Sequence, residues 1–183
     1  MMLNGTAGKP MADVLPGDKR RGLVFQIVLR SLAAILAAAA IPVMVTSDRD
    51  VLVYGIDLRA RYSYFAAFKF MIVVDSIVCA FSLASLLVVC RRCVIRSESG
   101  GICHFLLYFH DTVMLLLTMA GCSAAAAVGY IGYYGVEEIG WTANCNSAGD
   151  FCVQILTSVT LTVLVFFSYL ALVWTTAYKF TAY

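Results

Sequence analysis

Residues 105–133 read FLLYFHDTVMLLLTMAGCSAAAAVGYIGY, a run in which Asp111 is the one full charge. About 20 mostly apolar residues suffice for a helix to cross the hydrocarbon core of a bilayer. A spanning strand would need to alternate apolar and polar residues within a closed barrel, and the unbroken Ala124-Ala125-Ala126-Ala127 does not alternate. The stretch therefore predicts a membrane-crossing helix, and three further runs are of the same kind. Residues 23–45 are interrupted by Gln26, Arg30 and Ser31, residues 65–89 by Lys69 and Asp75, and residues 151–176 carry no charge.

Composition agrees. The chain of 183 residues is 62% hydrophobic and 13% charged, with a mean hydropathy of +0.87, where a soluble domain carries about 25% charged residues. The expected fold class is an all-α integral membrane protein, a four-transmembrane-helix bundle. A tail over residues 1–22, polar and holding Pro10 and Pro16, is expected to be disordered. It lacks the apolar core of a cleavable signal, so the first helix is expected to act as its own insertion signal. The membrane domain is expected over residues 23–177, and residues 178–183 form a short C-terminal end. Lys9, Lys19, Arg20, Arg21, Arg91, Arg92, Arg96 and Lys179 fall on one side of this topology. The excess of lysine and arginine there places both termini in the cytoplasm and both longer loops outside.

Two charges stand inside the membrane at similar depth. Arg30 and Asp111 each lie about 10 Å from the cytoplasmic ends of spans one and three at 1.5 Å per residue. An unpaired charge there costs at least about 2.5–3.5 kcal/mol, which a bidentate Arg30–Asp111 pair would lower. The expected role is a structural clamp; a proton- or ion-coupled role and separate snorkelling are the alternatives. Asp75, near the midplane of span two, either needs a partner or is carried protonated. Lys69 is expected to snorkel outward, and His110 to point about 100° away from Asp111 on the helix.

Gly121, Ala125 and Gly129 stand four apart, a small-residue face that admits another helix closely, either within the bundle or between subunits. Ala33, Ala37 and Ala40 form a similar face in span one. Seven cysteines leave at least one free. Cys145 and Cys152 lie on the outer, oxidising side, where a disulfide bracing the loop is expected. Cys90-Arg91-Arg92-Cys93 is formally a C-x-x-C, but its spacing to Cys103-His104 is not that of a known zinc site. Juxtamembrane cysteines of this kind are palmitoylation candidates or inert. Cys79 and Cys122 are expected to be buried. No metal, cofactor or nucleic-acid partner is implied, and no catalytic constellation is present in the sequence.

The residues also carry a family resemblance. His110-Asp111-Thr112-Val113-Met114, Ser123-Ala124-Ala125-Ala126-Ala127 and Gly132-Tyr133-Tyr134-Gly135 resemble the third span of the plant Casparian strip membrane domain protein-like (CASP-like) family. Trp141, Asn144-Cys145 and Phe151-Cys152-Val153-Gln154 continue the match, as do Arg30 in span one and Tyr62 to Phe70 with Ile77 to Leu83 in and before span two. The resemblance implies a MARVEL-like four-helix protein of the plasma membrane that forms homo- and heteromers with itself and family paralogues. In the founding members such proteins form an immobile scaffold that recruits extracellular wall enzymes for lignin deposition. The first outer loop here lacks the Glu-Ser-Leu-Pro-Phe-Phe-type stretch of the true Casparian strip members, and Asp75 stands where the branch often carries asparagine. The expected function is a non-enzymatic membrane organiser. The alternative is an oligomeric channel or transporter using Arg30, Asp75 and Asp111. A membrane thiol oxidoreductase is disfavoured by the Cys145/Cys152 spacing.

Overall fold

The computed structural model describes residues 16–53, 56–95, 101–135, 145 and 149–181. Four long helices dominate: α1 (Pro16–Val45), α2 (Ala66–Ile95), α3 (Gly101–Tyr134) and α4 (Gly149–Thr181). Each contains a stretch long and apolar enough to cross a membrane: Arg21–Val45, Ala66–Arg91, Phe105–Tyr134 and Gly149–Tyr178. The helices overrun the spans expected from hydropathy, because a helix can continue into water after its apolar stretch ends. The correction is largest at the start. Residues 16–22, expected in a disordered tail, are the first two turns of α1. Pro16 suits a first helical position, where no backbone N–H is needed. Residues 1–15 of that tail lie outside the described residues. At the other terminus α4 runs on through Thr181.

Successive helices run antiparallel. α1 packs along α2 and α4, and α3 packs along the same two, so α1 and α3 face each other across the middle. Two apolar clusters fill the interior. One gathers Ala33 and Ala37 of α1, Val74 and Val78 of α2, Met114 of α3, and Val165, Tyr169 and Leu172 of α4. The other, nearer the loop between α1 and α2, gathers Met44, Phe68, Met71, Ala125, Phe151 and Ile155.

That loop holds a feature absent from the sequence-based expectation. β1 (Asp48–Val53) and β2 (Ile56–Arg61) form an antiparallel two-stranded ribbon at one end of the bundle. β2 alternates Ile56, Leu58 and Ala60 with Asp57, Arg59 and Arg61, the period of a strand. The register sets Asp48 opposite Arg61, Asp50 opposite Arg59 and Val51 opposite Leu58. Elsewhere α3 is followed by Gly135, whose φ of 73° is open to glycine at little cost. Its N–H donates to the carbonyl of Ile131 at 2.9 Å, closing the last turn.

The surface inverts the rule for water-soluble proteins. Val28, Ile35, Leu87, Leu116, Leu156 and Phe167 are exposed, while Arg30, Asp75, Ser82, Asp111, Thr118, Ser158 and Thr162 are buried. Lipid tails solvate the first set, and only other protein groups can satisfy the second. This is a multi-pass membrane protein.

Candidate functional site: a polar layer across four helices

Arg30 is fully buried, and its guanidinium reaches across the bundle. Nη2 donates to Asp111 Oδ2 of α3 at 2.6 Å. Nη1 donates to Ser85 Oγ of α2 at 2.9 Å. The bidentate fork expected from the sequence is therefore divided between two helices. The physical reason is the diagonal placement of α1 and α3, which brings α2 into reach of the second amino group. Asp111, equally buried, gives its other oxygen to His110, whose Nδ1 lies 3.2 Å from Oδ1. His110 thus bends back to its neighbour despite the 100° between them, and its ring also lies 5.7 Å from that of Phe81.

The layer closes on the fourth helix. Ser82 Oγ and Tyr169 Oη lie 2.6 Å apart, joining α2 to α4. Ser85, one turn after Ser82, also donates its hydroxyl to the Ser82 carbonyl at 2.9 Å. Arg30, Ser82, Ser85, Asp111 and Tyr169 so form one band in which every helix takes part. Charge-assisted hydrogen bonds are short and strong in a low-dielectric interior, and the same surroundings penalise any member left unpaired.

A second polar level lies nearer the ribbon. Thr162 Oγ1 of α4 donates to Asp75 Oδ2 of α2 at 3.0 Å. Ser158 Oγ, one turn earlier in α4, donates to the backbone carbonyl of Ala40 in α1 at 2.9 Å. Asp75 Oδ1 and Arg30 Nε find no hydrogen-bond partner among the described residues. Lys69 is exposed near the start of α2.

The small residues separate by position. Ala33, Ala37 and Ala40 are wholly buried, which brings the α1 backbone close enough to accept the Ser158 hydrogen bond. Gly121 is buried, and a Cβ there would meet Val74 at 3.5 Å; Ala125 is fully buried. Around Gly129 a Cβ would meet nothing within 4 Å. A four-residue step advances about 40° beyond a full turn, so the stripe drifts off the interior by its third member. Cys145 and Cys152 are joined in a disulfide with Cα atoms 5.8 Å apart, tying the approach to α4 onto its first turn. Cys79 and Cys122 are half-buried rather than buried, and Cys90 is exposed. The side chains of Cys93 and Cys103 lie outside the described residues.

The sequence reading did not anticipate Ser82, Ser85, Ser158, Thr162 or Tyr169. Their signal was the recurrence of hydroxyls at helical spacing, Ser82 with Ser85 and Ser158 with Thr162, within otherwise apolar spans. Spacing of that kind places both members of a pair on one face.

The Casparian strip membrane protein domain matches residues 19–168 of the chain. The chain belongs to this family. CASP-like protein 1F2 of Ricinus communis is 45% identical over 161 residues, covering 88% of this chain and 80% of that protein. CASP-like protein 1F2 of Vitis vinifera is 41% identical over 143 residues, 78% of this chain and 74% of the relative. CASP-like protein 1F3 of Populus trichocarpa is 40% identical over 169 residues, 92% and 85% of the two chains. These plant CASP-like relatives carry names that denote no enzymatic activity. No solved structure matches the chain. Within this CASP-like chain the matched region takes in α1, α2, α3 and most of α4, and so every member of the polar layer but Tyr169.

Proposed function

We propose that this CASP-like protein is a non-enzymatic membrane scaffold that associates with itself and its paralogues in the plasma membrane. Both termini face the cytoplasm, and the ribbon and disulfide face the wall, where they help to recruit cell-wall-modifying machinery. The observation that carries the reading is that Arg30 and Asp111 spend their charges on each other, within a family whose domain bears the name of a membrane structure. A bundle cross-tied at its centre keeps a fixed outline, which suits a repeating unit in a lateral assembly. Fluorescence recovery of the tagged protein in a plant cell membrane, with crosslinking, tests this. Slow recovery in bounded patches together with crosslinked dimers or larger species is expected; fast recovery of an uncrosslinked monomer would sink the proposal.

The buried Asp75 Oδ1, without a partner among the described residues, favours a second reading, an oligomeric channel or transporter. Ion flux through proteoliposomes that is lost in Asp75→Leu would select it; no flux above empty vesicles would dismiss it.

A further inference from the structure

The two ends of the bundle differ in charge. The first turns of α1 hold Lys19, Arg20 and Arg21, the end of α2 holds Arg91 and Arg92, and the end of α4 holds Lys179. Because α1 packs along both α2 and α4, with Arg30 meeting Ser85 and Ala33 clustering with Leu172, these helix ends lie at one end of the bundle. Among the described residues they set six cations against a single anion, Asp18. At the other end the charges of the described residues cancel. The ribbon contributes three arginines and three aspartates, and Lys69 and Asp150 add one charge of each sign.

Depth narrows the choice of partner. Arg21 begins the first apolar span and Arg91 ends the second, so both stand where a bilayer carries its phosphates. Both side chains are exposed. Just inside them, Val24 and Val28 of α1 and Leu87 and Val88 of α2 are also exposed, giving acyl chains an apolar wall below the cations. A soluble anion would use the charges and leave that wall unused; a phospholipid uses both.

We propose that the basic end of α1, α2 and α4 binds anionic phospholipid headgroups, and prefers multiply phosphorylated inositol lipids to singly charged ones. Each lysine or arginine near a membrane surface contributes about fivefold to binding of anionic lipid, and salt screens the attraction. By gathering such lipids, the protein would give the membrane around it a distinct composition. This goes beyond the scaffold reading and stands without it, since a freely diffusing monomer could bind the same lipids.

The test uses the full-length protein purified in mild detergent and mixed with phosphatidylcholine, phosphatidylserine or phosphatidylinositol bisphosphate. Retained lipid is read by native mass spectrometry. The expected order is bisphosphate above serine above choline, weakening as salt rises in the unaltered protein. Arg91→Gln with Arg92→Gln is expected to reduce bisphosphate retention by more than tenfold, while Arg59→Gln with Arg61→Gln leaves it unchanged. The single variants Arg21→Gln and Lys179→Gln, each expected to lower retention severalfold, serve if the double variant fails to insert. Equal retention of all three lipids, equal loss from the Arg59/Arg61 variant, or displacement by the soluble headgroup as effectively as by the lipid would overturn the proposal.

Discussion

Arg30 and Asp111 lie on helices that face each other across the bundle, yet their side chains meet at 2.6 Å with neither exposed. The contact leaves one guanidinium amino group for Ser85 and one carboxylate oxygen for His110. Removing one charge therefore strands the other in a medium that cannot solvate it.

Asp111→Asn is expected to destabilise the protein by about 3–5 kcal/mol, the cost of breaking a buried pair from one side. Thermal unfolding in detergent, followed by circular dichroism, reads the loss. Arg30→Met combined with Asp111→Leu should lose much less than either single variant. Additive losses would show that the two residues act independently.

Tyr169→Phe keeps the ring and deletes only the hydroxyl that meets Ser82. A loss of about 1 kcal/mol is expected, the net worth of a neutral hydrogen bond. Ser82→Ala on the Tyr169→Phe background should then cost almost nothing more. A second full loss in the double variant would mean that Ser82 has another partner.

Gly121 and Gly129 should separate folding from association. A Cβ at Gly121 meets Val74 only at ordinary contact distance, so Gly121→Ala is tolerated, whereas Gly121→Leu overpacks the α2–α3 contact and costs about 1–3 kcal/mol. Gly129→Leu projects into open space and should leave unfolding unchanged. If Gly129→Leu nevertheless abolishes crosslinked dimers, that face of α3 lies between copies.

The Cys145–Cys152 bridge closes a short loop, with a sequence separation of 7. On the chain-entropy account, Cys145→Ser with Cys152→Ser should cost about 2–3 kcal/mol. Alkylation of the intact protein, with and without reductant, followed by mass measurement, checks the bond itself. Full labelling of Cys145 without reductant would show that it is not formed.

The four helices were legible because bilayer thickness imposes a length that the chain displays openly. Arg30 and Asp111 were legible as partners because depth in a membrane can be counted along a helix. Where the second amino group of Arg30 goes was not legible: that depends on which helix stands beside α1, and hydropathy is silent on neighbours. Ser85 and Tyr169 were hidden for a related reason, since hydroxyls in a spanning helix can bond their own backbone, as Thr118 does with Met114. The drift of Gly129 away from the interior follows from helix pitch but shows only once the facing helix is in place. The ribbon was not legible because an alternation of only six residues, 56–61, gives a far weaker signal than a span-length apolar run.

The distance in sequence between Arg30 and its partners sets an order of events during synthesis. Ser85 follows Arg30 by 55 residues and Asp111 by 81. At a translation rate of about 5–20 residues per second, Asp111 emerges roughly 4–16 s after Arg30. For that interval α1 carries an unanswered cation. Until α3 arrives, only water or headgroups within reach of the long side chain can answer that charge, so the clamp between α1 and α3 forms late.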